Sequence, residues 1–300
     1  MSNLDHLGIV AGIIDELGIA EQINERIGRS SREKVSAGVI VKAMILNGLG
    51  FVSAPLYMFS KFFEGKATEH LLGAGITAEQ INDDRIGDVL DDLHQVGLTE
   101  TFVGISLNAV KKYEVKVETG HADSTSFHVH GEYAKEEEGS IEITYGYSRD
   151  HRPDLKQFMM NLICVGDGDI PVMMELVSGN QADKARFAGL LQEFKKQWTF
   201  EGICVADAAL YSEENLAAMT GLKWLTRVPL SIKAASELVE STEPLQTSKL
   251  QGYSTTESLS DYGGVNQRWI LVESDARRKS DIKKLDKKIA KTQQKCHQEL

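Results

Sequence analysis

Apolar side chains recur at intervals of three and four through the first third of the chain: Leu4, Leu7, Val10, Ile13, Ile14 and Leu17, then Val35, Val39, Ile40, Ala43 and Met44. That spacing follows the 3.6-residue turn of a helix and not the two-residue repeat of a strand, so residues 1–112 are predicted to form an all-α domain. Thr77 stands three residues before Gln80, the side-chain pair of a capping box. Ile81, Ile86, Val89, Leu90, Leu93 and Val96 follow at helical spacing to Gly97. One helix is expected there, opened at Thr77 and closed by the glycine. Helices joined by short turns build DNA-reading modules, dimer contacts and plain bundles alike.

From Val115 the pattern changes to strands. Val115 to Glu118 lead into Thr119 to Asp123, then Ser126 to His130, and, after an acidic loop, Ile141 to Tyr145. Residues 158–165 and 170–177 read as a hairpin around Gly166-Asp167-Gly168-Asp169, whose acidic residues serve the turn. A helix over 183–197, a buried strand over 202–207, a helix from about Ser212 and a strand over 223–228 follow. Strands first, then strand and helix in alternation, predict a mixed α/β sheet over residues 113–240.

Residues 241–300 change character again. Tyr253 to Leu259 and Arg268 to Val272 look extended. From Ala276 to the last residue, nine basic side chains stand against three acidic ones, with Ile282, Leu285 and Ile289 at helical spacing. This is one long basic amphipathic helix, with no Gly, Pro or Asn to close it, and the chain is expected to be a C-terminally truncated product.

Charge and composition narrow the field. With 33 basic and 44 acidic residues the net charge is -11, which disfavours a generic nucleic-acid coater but leaves room for local basic patches. Charges interrupt the apolar runs well short of the ~20 residues that cross a bilayer, and no basic leader precedes an apolar run. A cytoplasmic location without membrane contact is expected. Three scattered cysteines, Cys164, Cys204 and Cys296, are too few for a disulfide framework.

Two carboxylates carry the chemistry of interest. Asp123 stands where a strand is expected to run out into Ser124-Thr125-Ser126, and Asp207 ends the buried run Ile203 to Ala206. Carboxylates at the ends of adjacent strands can share divalent cations, and two ions ~3.5–4 Å apart suit in-line phosphoryl transfer. An aspartate after a strand also serves simply as a turn former or helix cap. Arg149, Arg152 and Lys156 flank a turn fixed by Pro153 and are candidate phosphate contacts, or members of local ion pairs. The basic helix, with Arg277, Arg278 and Lys284, is a candidate for tracking a DNA backbone, or a solvated face. His128 and His130, two apart, together with His121 and Asp123, invite a third reading as a His/Asp metallohydrolase.

The segment His121 to Phe127 with Gly131-Glu132-Tyr133, then Tyr145 to Gln157, resembles the DDE-type transposases of bacterial insertion sequences. So do Gly179-Asn180-Gln181-Ala182-Asp183, Val205 to Ser212 with Asn215-Leu216, and Tyr262-Gly263-Gly264-Val265 before Arg268-Trp269. The likeness spans nearly the whole chain, and the helical part resembles the domain of unknown function that precedes the catalytic domain in one such branch. It implies an α+β protein: an N-terminal all-α domain, then an RNase H-like mixed α/β domain, interrupted by the start of a β-rich insertion and the basic helix. It further implies Mg²⁺, with Mn²⁺ as substitute, held by Asp, Asp and Glu. The partners it implies are DNA at element ends and target, and a homodimer. Asp123 matches the first acid and Asp207 the second. The third belongs to a motif Tyr-x2-Arg-x3-Glu-x6-Lys, yet none of the eight tyrosines has Arg three positions later. The Glu is therefore expected beyond residue 300, and these residues are expected to show little or no activity. A noncatalytic relic that binds element ends or a full-length partner is the alternative.

Overall fold

The computed structural model describes residues 3–28, 33–133, 140–148, 151–181, 183–241 and 244–299. They divide into two compact units, Met1–Ala182 with Phe194–Val205, and Asp183–Glu193 with Ala206–Leu300.

The first unit opens with seven helices: α1 (Leu7–Glu16), α2 (Ile19–Ile27), α3 (Ala37–Gly48), the short α4 (Phe59–Phe63) and α5 (Thr68–Leu72), α6 (Asp83–Val96) and α7 (Leu98–Lys112). Their apolar stripes meet in one core, in which Leu7, Ile40, Leu46, Leu71, Ile81, Ile86 and Val89 are fully buried. Helices α2 and α3 approach so closely at Gly38 that a Cβ there would sit 2.0 Å from the Ala20 carbonyl oxygen. The Gly38 N–H donates to Asn24 Oδ1 at 2.8 Å, which satisfies one of the free donors at the start of α3. The single helix expected from Thr77 is broken in two. Gln80 does accept from the Thr77 N–H at 3.2 Å, but the turn it closes is a 3-10 turn, Ala78–Gln80. Ile81 then leaves helical geometry as its side chain enters the core, and Asn82 restarts the helix by accepting from Arg85 N–H at 2.9 Å.

The sheet of this unit contains β1 (Thr119–Val129), β2 (Lys156–Val165), β3 (Pro171–Ser178) and, after the helix α8 (Asp183–Trp198), β4 (Ile203–Ala206), in the order β3-β2-β1-β4. β1, β2 and β3 are antiparallel neighbours, and the Val165 N–H donates to the Ile170 carbonyl across the expected Gly-Asp-Gly-Asp turn. α7 packs on β3, where Ser106 Oγ donates to the Pro171 carbonyl at 3.1 Å. Buried residues alternate along β1 and β2, as expected of a sheet with one covered face. That covered face carries a polar row. Ser124, Asn161 and Glu175 lie side by side on the three strands, with Ser124 Oγ donating to Asn161 Oδ1 at 2.6 Å and Asn161 Nδ2 donating to Glu175 Oε2 at 3.2 Å.

Two strand expectations are corrected. Residues 119–129 form one strand, so Asp123 sits mid-strand and not at an end; the small Ser124 and Ser126 continue the ladder with Asn161 and Met159. Ile141 to Tyr145 contribute only the bridge Thr144↔Gln157. The segment is held crosswise instead, with Glu142 N–H donating to Ser178 Oγ and Gly179 N–H donating to the Glu142 carbonyl.

The second unit holds the 3-10 turn Ala208–Leu210, α9 (Glu213–Ala218), β5 (Lys223–Thr226), α10 (Lys233–Glu240), an antiparallel sheet β6 (Gln246–Thr247), β7 (Tyr253–Ser260) and β8 (Gln267–Ser274), and α11 (Asp275–Glu299). Ser212 caps α9 by accepting from Asn215 N–H. α11 is the basic helix expected from composition, and its side chains from Asp275 through Gln294 are all exposed. Among the described residues no helix is long and apolar enough to cross a membrane.

Candidate active site

Strand parity decides what β1 can present. His121, Asp123 and Thr125 lie exposed on one face, whereas Ala122 and Ser124 are buried on the other. His128 is an odd number of residues from Asp123 and shares the Ser124 face, where its Nε2 contacts Ser148 Oγ at 3.1 Å. The cluster needed for a His/Asp metallohydrolase is therefore split across the sheet. Among the described residues no group of three or more His, Cys, Asp or Glu side chains is placed to hold a metal.

Asp123 accepts through Oδ1 from the N–H of its own neighbour, Ser124, at 2.8 Å. Asp207, in the second unit, directly follows β4 and caps the 3-10 turn after it, its Oδ1 accepting from Ala209 N–H at 2.8 Å. Its backbone carbonyl accepts from Thr226 Oγ1 at 2.6 Å, which ties the turn to the end of β5. Both carboxylates are exposed, and both leave Oδ2 without a protein partner among the described residues. An ionised carboxylate with an open oxygen is the donor that a hard divalent cation selects. Each of the two residues fits such an ion in chemistry, through its one open carboxylate oxygen.

The basic candidates are already engaged. Arg152 grips Asp154 with two N–H···O contacts, at 2.9 and 2.8 Å, and the guanidinium holds that carboxyl down at about 2. Lys156 Nζ donates to the backbone carbonyls of Glu132 and Tyr133. Arg149 lies outside the described residues. On α11, Arg277 and Lys284 pair with Asp281, and Arg278 with Glu273. Lys283, Lys287 and Lys291, spaced by four on the same helix, make no ion pair among the described residues, and the sequence reading did not single them out.

The Tyr145-Gly146-Tyr147 and Gly179 motifs meet around Gln157. A Cβ at Gly146 would fall 1.9 Å from the Gly179 carbonyl oxygen, and one at Gly179 would fall 2.0 Å from the Gln157 carbonyl oxygen. Gln157 Nε2 donates to the Gly179 carbonyl at 2.8 Å. Glycine at these positions is required by close backbone approach.

Residues 119–298 match the family described as Transposase DDE domain, a match that begins on the first residue of β1 and takes in both aspartates. The chain belongs to the DDE transposase family. Its N-terminal residues 1–107 match a domain of unknown function, DUF4277, over the helices that precede the sheet. The fold is accordingly a helical region followed by a mixed sheet with helices, as in an RNase H-like DDE domain. Among solved structures, this DDE transposase chain is similar to a piggyBac transposase synaptic complex with hairpin DNA, at 10% identity over 90% of this chain and 59% of that one, with a TM-score of 0.39. It is also similar to a Mos1 transposase paired-end complex with left transposon end, at 13% identity over 66% of this chain and 60% of that one, TM-score 0.26. A Mos1 mariner paired end complex with Mn matches at 13% identity over 76% and 78%, TM-score 0.24. The chain thus spans about three fifths of the length of the first two. No curated protein matches it.

Proposed function

We propose that this chain acts in the transposition of an insertion sequence. Asp123 and Asp207 would hold Mg²⁺, or Mn²⁺ in its place, for phosphoryl transfer on DNA at the element's ends and target. The observation that carries this reading is the family match over residues 119–298, which includes two exposed aspartates that each keep one carboxylate oxygen open. Bound divalent ions would activate an attacking oxygen and stabilise the leaving one. The chain's own part is to fix two carboxylates on stiff supports: Asp123 within a paired strand, Asp207 at a turn held by Ala209 and Thr226.

The absent Tyr-x2-Arg-x3-Glu-x6-Lys motif favours a second reading, in which these 300 residues bind DNA ends or a full-length partner without cutting. Free Mn²⁺, followed by its electron paramagnetic resonance signal, tests the metal reading directly. Asp123→Asn and Asp207→Asn are each expected to weaken binding about tenfold or more, since loss of a direct ligand costs at least as much as loss of its supporting partner. Unchanged affinity in both variants would sink the assignment. Strand transfer from end DNA is expected to be absent for these 300 residues, and its appearance with Mg²⁺ would overturn the binding-only reading.

A further inference from the structure

We propose that Tyr211 and Gln267 are positioning residues for Asp207, so that the hairpin of β7 and β8 sets the metal affinity of the second aspartate; this rests on reading Asp207 as a metal ligand. The turn that begins at Asp207 closes with Leu210 N–H donating to the Asp207 carbonyl and Tyr211 N–H to the Ala208 carbonyl. Tyr211 then drives its side chain into the interior, where it is 6% exposed. Its hydroxyl donates to Gln267 Oε1 at 2.5 Å and accepts from Trp269 Nε1 at 3.0 Å, while the same indole N–H lies 3.1 Å from Gln267 Oε1. Gln267 Nε2 donates to the Tyr262 carbonyl at 2.7 Å, and the Tyr211 ring stacks on the Tyr262 ring at 5.4 Å and 15°.

A phenylalanine and a leucine would fill this volume without burying a hydroxyl and an amide. Buried polar groups are tolerated only when satisfied, and what a satisfied network adds is a single orientation. Gln267 and Trp269 stand two apart on β8, hence on one face of a strand that is paired along its length to β7. The tyrosine at the end of the Asp207 turn is thereby bonded to a rigid hairpin. At its other end the turn is held by Thr226 on β5. Fixed at both ends, the turn keeps Asp207 Oδ1 on the Ala209 N–H and Oδ2 open.

Tyr211→Phe removes one oxygen and keeps the ring stack. Mn²⁺ binding and amide exchange at Leu210 and Tyr211 are measured in the whole chain, with Asn82→Ala at the N-cap of α6 as a comparison that lowers stability elsewhere. Tyr211→Phe is expected to speed exchange at both amides and to weaken Mn²⁺ about three- to tenfold, less than a direct ligand loss, with Asn82→Ala leaving both unchanged. Lower melting temperature with unaltered Mn²⁺ affinity would overturn the proposal, whether or not exchange rises. If Tyr211→Phe does not fold, Gln267→Asn, which draws the amide back by one methylene, carries the same expectation. Asp207→Asn separates the two layers of the argument. Mn²⁺ affinity that ignores Asp207→Asn refutes the ligand reading and this inference with it, whereas sensitivity to Asp207→Asn but not to Tyr211→Phe refutes the inference alone.

Discussion

Asp154 and Arg152 lie two residues apart on an exposed turn, and their paired contacts change what each can do. The hydrogen bonds from Arg152 favour the ionised carboxylate and hold its pKa at about 2, against an ordinary 3.8. Because the folded value is the lower one, the pair supports the fold above the ordinary value and loses that contribution as pH falls towards about 2. A carbon-detected titration of the Asp154 carboxyl should therefore give a midpoint about 2 in the unaltered chain and a clearly higher one in Arg152→Ala. Coincident midpoints would show that the pair does not persist in solution. The same pairing explains why Arg152 could be read from sequence equally as a phosphate contact or a local ion pair: its partner is two residues away, and only geometry shows the bidentate grip. Asp123 and Asp207 stand out as candidates in the sequence because the family motifs carry them. Thr226, Asn161 and Gln267 were not, because their partners are 19, 37 and 56 residues distant. A polar residue that shares strand parity with Trp269 was the one available sign for Gln267.

Periodicity located most elements and misjudged those whose ends are set by contacts far along the chain. The Thr77 capping box is real, but Ile81 is pulled into the core and the helix must begin again at Asn82. α10 was missed although Ala235, Leu238 and Val239 stand at helical spacing and Lys233 pairs with Glu237 four residues on; at eight residues the repeat is too short to stand out from its surroundings. Ile141 to Tyr145 alternate like a strand, yet the chain is turned aside by the packing of Gly146 on Gly179. That packing is open to test. Gly179→Ala would place a methyl 2.0 Å from one backbone oxygen and 2.7 Å from another, with no flexible side chain to yield. Urea unfolding should show a loss of about 1–3 kcal/mol or more, the cost of overpacking a closed site. A loss below a few tenths would mean that the two loops separate freely.

Over the whole chain the net charge is -11, yet α11 gathers nine of the 33 basic residues on a helix exposed along its described length. The partners of Arg277, Arg278 and Lys284 lower the charge those residues can offer, whereas Lys283, Lys287 and Lys291 are unpaired among the described residues. If α11 tracks duplex DNA, replacing these three lysines by alanine should reduce the slope of log affinity against log salt by roughly 0.9 for each lost phosphate contact. Replacing Arg277 or Lys284 should change it less. Equal slopes in all variants would place the DNA contact elsewhere. The charge count and the spacing of Ile282, Leu285 and Ile289 point to a basic helix; which lysines are available depends on the spacing of Asp281 and Glu273 around them.

The row Ser124, Asn161 and Glu175 also bears on how the chain reaches this fold. If β1 slipped by one residue against β2, Asp123 would turn inward beside Asn161, and Ser124 would turn out to solvent. An apolar row would accept such a slip at small cost, since any greasy neighbour satisfies another. A hydrogen-bonded row does not, because a slipped partner leaves buried donors and acceptors unmet. The covered side of the sheet therefore acts as a proofreading step for the open side: the alignment that satisfies Ser124 is the one that delivers Asp123 to solvent.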